Sequence, residues 1–149
     1  MIERRLAQLA GTIALALPLP ALAAPAVALD SAVFVEHVQA APNGMLRSLE
    51  PARRVASGDR VVTIVSWTRS GPGSFTVTNP LPRGLEYEQS AEGDEEVSAD
   101  GGRTWGKLGT LRISGRLATA EDLTHVRWHV TGPRAASPSG RIAYSGIVR

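Results

Sequence analysis

The chain has no cysteine among its 149 residues. That excludes disulfides, thiolate metal sites and a cysteine nucleophile, and with them the lipid-modified cysteine of a bacterial lipoprotein. Histidine is scarce, with three residues, and Lys107 is the only lysine. Basic charge is therefore almost all arginine, and it is scattered. Past the first few residues only Arg53 and Arg54 are adjacent. A formal charge of +2 without clustering does not make a nucleic-acid footprint, and none is expected. No G-x-S-x-G element occurs. Glu86, Glu88, Asp100 and Asp122 are the carboxylates that a glycosidase pair would draw on, but acidic loops of any sandwich offer such candidates. With no nucleophile, base and orienter set in view, the expectation is a protein that is not an enzyme and carries no cofactor.

The strongest functional signal lies at the start. Met1 to Arg5 is charged, Leu6 to Leu17 is an apolar run, and Pro18 and Pro20 break it. Ala21-Leu22-Ala23 places small residues at the two recognition positions. Residues 1–23 thus read as a secretory signal peptide cleaved between Ala23 and Ala24. The run is too short and too broken to span ~30 Å of hydrocarbon. The expected location is periplasmic or secreted. Residues 24–32 are expected to be a flexible mature N-terminus, and residues 33–149 one domain. That length suffices for a self-contained core without disulfides.

Residues 55–87 organise the domain. Val61, Thr63, Val65 and Trp67 fall on one face of an extended segment, with Val62, Ile64 and Ser66 on the other. Apolar groups on both faces mark a central strand of a two-layer structure. Ser70-Gly71-Pro72-Gly73 must be a loop. Phe75 and Val77 start another strand. Pro80-Leu81-Pro82-Arg83-Gly84 stops it, with Gly84 free to take positive φ. Val33 to Val38 reads as a first strand, and Ala41-Pro42-Asn43-Gly44 as a turn. Residues 45–56 fit either a short helical turn or a loop. Leu108, Leu111 and Ile113 read as one strand, Val126, Trp128 and Val130 as the inward face of another, and residues 141–149 as the last. The chain ends in that strand, so no C-terminal membrane helix or anchor signal is expected. The expected fold is an all-β, Ig-like antiparallel β-sandwich of about seven strands, with Trp67 and Trp128 in its core.

The Gly58-Asp59 pair before an alternating strand, the Thr76-Val77-Thr78-Asn79-Pro80-Leu81-Pro82-x-Gly84-Leu85-x-Tyr87 stretch and the later Leu108-Gly109-Thr110-Leu111 resemble an Ig-like repeat domain of exported bacterial proteins. That family is catalogued mainly as a domain of unknown function. The resemblance spans residues 33–149. It implies an Ig-like sandwich outside the cytoplasm and carries over no catalytic residues. Where members have an Asn-x-Gly element, this chain has Thr68-Arg69-Ser70-Gly71.

Ser98-Ala99-Asp100-Gly101-Gly102-Arg103-Thr104-Trp105 is similar to the Asp-box hairpin of sialidases and other β-propellers. A propeller needs repeated blades, and one copy reads as a hairpin. The Asp100 carboxylate would tie the turn backbone. Trp105 is the one tryptophan expected at the surface, so Trp105 and Asp100 are the candidate ligand or partner contacts. His125 and His129 lie roughly 13 Å apart on a strand and cannot share a metal. The acidic loop 92–96, with Glu92, Asp94, Glu95 and Glu96, lacks the EF-hand ligand spacing, and no metal is assigned to it.

Two modes of action follow. The first is an interaction module of the bacterial envelope that pairs strands with another envelope protein. The last strand and the strand near Val33 are the expected edges. The second is a glycan- or small-molecule-binding sandwich built on Trp105.

Overall fold

The computed structural model describes residues 27–149. The expected signal peptide, Ala23 and Ala24 lie outside them. Among the described residues no helix is long and apolar enough to cross a membrane.

Ten strands and one short helix follow in order. They are β1 (Val27–Ala41), β2 (Gly44–Pro51), β3 (Arg60–Arg69), β4 (Phe75–Pro80), β5 (Leu85–Ser90), β6 (Glu96–Ser98), β7 (Arg112–Ile113), β8 (Arg116–Leu117), β9 (His125–Val130), α1 (Gly132–Ala136) and β10 (Ser139–Val148). One antiparallel sheet has the order β2-β1-β3-β10-β5 and a second has β4-β9-β6. β7 and β8 form a separate two-stranded ribbon. The fold is an all-β sandwich. The strand count exceeds seven because the hairpin partner β2 and three very short strands carry little periodicity to read.

β3 is central, as its two-sided apolar pattern implies. Val61, Thr63, Val65 and Trp67 are buried and the alternate residues are half-covered. Val77, Val97, Val126, Trp128 and Val130 face them from the second sheet. Every residue of the core cluster lies between Val35 and Tyr144, within the described residues. Trp128 is fully buried and its indole N–H donates to Ser90 Oγ at 3.0 Å. A buried indole without an acceptor would be destabilising. Gly84 takes φ +79° at the corner after β4.

Four expectations need correction. Residues 27–32 are not a loose lead-in but the first part of β1, paired with β3 from Val27↔Arg69 to Val35↔Val61. The small, turn-free sequence of that stretch hides a strand whose partner supplies the ladder. Residues 44–51 are neither helical turn nor loop; the Pro42-Asn43 turn folds them back as β2. Leu108 is in an exposed turn closed by Thr110 N–H donating to Lys107 O at 3.0 Å, and the strand there is only Arg112–Ile113. The last strand is not an edge, because β10 lies between β3 and β5. Its glycines explain why. A Cβ at Gly140 would lie 2.1 Å from the Trp67 ring, and one at Gly146 2.8 Å from the Glu86 carbonyl oxygen. Both positions serve close approach by neighbours within the sheet.

Candidate functional site

The turn after β6 is built around one carboxylate. Arg103 N–H and Thr104 N–H both donate to Asp100 Oδ1, at 3.0 and 2.8 Å. Ser98 Oγ donates to the same oxygen at 2.8 Å and accepts from Gly102 N–H at 2.9 Å. Gly101 and Gly102 hold φ of +78° and +87°, which lets the backbone N–H groups converge. These donors hold the Asp100 carboxyl well below the usual carboxylate range, the Thr104 backbone N–H contributing most. The Trp105 indole N–H closes the turn on Gly102 O at 2.8 Å. Asp100 is thus an internal fastener. Its oxygen Oδ1 already takes three donors, as expected of an Asp-box-like hairpin.

Trp105 is half-buried, and the Arg127 guanidinium carbon stands 4.3 Å from its ring centroid. Glu96 fixes that arginine, accepting from Arg127 Nε at 2.8 Å and from His129 Nε2 at 3.0 Å. Those two donors, Arg127 first, hold the Glu96 carboxyl below its ordinary value. One face of the ring is therefore taken by a cation–π contact worth about 0.5–1 kcal/mol at an exposed site. His125 meets the ring only by its edge, with centroids 6.4 Å apart. Trp105, Arg127, Glu96 and His129 make a polar cluster on the outer surface of the small sheet. Nothing in the local sequence joins Trp105 to Arg127, which come together only through the β6–β9 pairing.

The remaining acidic candidates do not converge. Glu86 is paired with Arg149, Glu88 with Arg60 at 2.6 Å, and Asp122 with Arg116 at 2.6 Å. In the acidic loop, Glu92 and Asp94 lie 3.8 and 3.9 Å from Arg134, while Glu95 Oε1 accepts from Tyr87 Oη at 2.5 Å. Burial, and after it the Glu95 carboxylate, raise the Tyr87 hydroxyl far above its usual range, so it stays a donor. Among the described residues no three histidine, cysteine, aspartate or glutamate side chains are grouped to hold a metal ion.

A different feature stands out at the other sheet. β2 pairs with residues 34–41 of β1 and stops, whereas β3 pairs with residues 27–35. Beside residues 27–33 the place in line with β2 is empty among the described residues. Val33 O accepts from Ala52 N–H at 2.9 Å, which fixes the phase of the strand. In an antiparallel ladder the N–H and C=O of alternate residues point to the same side. Val33 points away from β3, so Val27, Leu29 and Ser31 do as well. Among the described residues their N–H and C=O groups form a row without partners. On the inward face Leu29 and Val33 remain 48% and 42% exposed, although they belong to the core-facing set. A cleft of about 130 Å³ lined by Val33, Val55, Val61 and Leu85 opens beside them.

Comparison with known proteins identifies no relative. No protein family, curated protein or solved structure matches the chain.

Proposed function

We propose that this protein is an exported, non-enzymatic interaction module of the bacterial envelope that recruits a partner protein by strand addition to residues 27–33 of β1. The leader-like residues 1–23 support the setting. One observation carries the mode of action. The outward row of Val27, Leu29 and Ser31 has no partner among the described residues, and this stretch contains no proline, no lysine and no bulge. Natural sandwiches blunt such an edge with those devices. Here a strand laid in line with β2 would complete the ladder and cover Leu29 and Val33. The glycan reading is less well supported, because Arg127 already stacks on Trp105.

A photo-crosslinking residue in place of Leu29 tests this in the exporting cell, with the same residue at exposed Glu121 as the control. The expected result is an adduct of one defined mass from position 29 alone. Leu29→Pro, which removes an N–H that has no partner among the described residues, should abolish complex formation while leaving the domain folded. Exported, folded protein that yields no adduct from position 29, or the same adduct from both positions, would contradict the proposal.

A further inference from the structure

Beyond Val35 the β1–β2 hairpin leaves the sandwich. Residues 36–41 pair only with residues 44–49, and β3 does not follow them. Six residue pairs at the normal rise make a ribbon projecting about 20 Å. A lone two-stranded ribbon is marginal in water, and this one is apolar towards its end. Between His37 and Arg47 there is no charged residue. Val38 is 46%, Met45 66% and Leu46 58% exposed.

The register decides what kind of surface could cover them. Residues opposite one another share a face, so Val38, Ala40 and Met45 lie on one side of the ribbon and Leu46 on the other. A flat protein surface covers only one side. A fluid apolar medium covers both. Arg47 stands opposite Val38, three pairs from the Ala41↔Gly44 end, or about 10 Å up the ribbon. Peripheral elements sink about 5–10 Å into a lipid interface, which would bring Arg47 to headgroup level. Arg47 is exposed, and the Glu36 carboxylate beside it is shared with Arg60. Arg53 and Arg54 follow at the base of the hairpin, both exposed. Glu36, Glu50 and Asp59 lie among them, so Arg47, Arg53, Arg54 and Arg60 leave the collar only a small basic excess. An uncharged tip below such a collar fits a bilayer with anionic headgroups.

We infer that the tip of the β1–β2 hairpin, residues 38–46, docks the protein on an anionic lipid surface. This is independent of the strand-addition edge, since neither Leu29 nor Ser31 belongs to the ribbon. Residues 24–149, which contain the whole core cluster, are mixed with vesicles of phosphatidylglycerol and phosphatidylethanolamine and sedimented. The expected result is co-sedimentation that weakens in high salt and falls about tenfold or more in Met45→Glu/Leu46→Glu. Leu29→Pro should bind vesicles like the parent, which separates this result from the edge. Folded parent protein that stays in the supernatant, or a double variant that sediments equally, would overturn the inference. So would a concentration-dependent oligomer lost in the double variant without any vesicle binding, because the tip would then be a protein contact.

Discussion

Gly140 shows how much one hydrogen atom can matter. Its α-carbon lies against the Trp67 ring, and the ring is itself hemmed by Phe75, with centroids 5.7 Å apart. Gly140→Ala would place a methyl group 2.1 Å from the indole. The backbone φ is not the obstacle; the ring is. Overpacking of this kind costs about 1–3 kcal/mol, and Gly140→Ala should be at the upper end, read as a lowered urea midpoint with unchanged slope. If the midpoint did not move, Trp67 would not be locked where it is. At this scale the sequence was a good guide wherever chemistry is local. Trp67 and Trp128 are buried as their alternation implies, and Asp100 fastens its own turn through donors two to four residues away. Trp105, expected at the surface, is half-buried, and the group that covers it, Arg127, is distant in sequence.

At the scale of elements, periodicity identified strands but not their neighbours. β3 and β9 were legible because each alternates buried and partly exposed residues over its length. β2 was not, because all of it is exposed and no inward face exists to print a period-two pattern. The first part of β1 was missed for a related reason. Its inward residues, Leu29, Ser31 and Val33, include a serine and are only half-covered by the second sheet. Ser31 reaches Asn79 at 3.4 Å, so β4 lies over this part of β1 without sealing it. β10 is therefore interior and not the expected edge, and β1 is an edge only along its first part, because β2 covers its later half. Strand order depends on pairings between residues far apart in the chain, such as Gly140↔Trp67, and glycine at those positions was the one sequence signal available.

Across the whole molecule, four carboxylates are tied to the fold at separate places. Glu36 is held below its ordinary value chiefly by Arg60, Glu96 by Arg127, Asp100 by backbone donors and Asp122 by Arg116. A carboxyl depressed in the folded state contributes stability above its unfolded pKa, and the contribution is lost as pH falls through the folded value. The urea midpoint should therefore be level from pH 7 to about pH 5 and decline below about pH 4.5, where unfolded carboxyls begin to take protons. A midpoint that rose on acidification would mean that these ion pairs do not support the fold. The same whole-molecule view links the two surfaces. The core cluster lies within the described residues, and among those residues the larger sheet carries an open stretch of edge and a hairpin that leaves the body.

The central claim is that the free row on β1 is vacant in the isolated protein. Amide hydrogen exchange resolved by residue tests it most directly. The account predicts alternation along β1: Leu29 and Ser31 exchange rapidly, whereas Ala28, Asp30 and Ala32, whose N–H groups face β3, are protected. Protection of Leu29 and Ser31 equal to that of their neighbours would contradict it, because the edge would then already be paired.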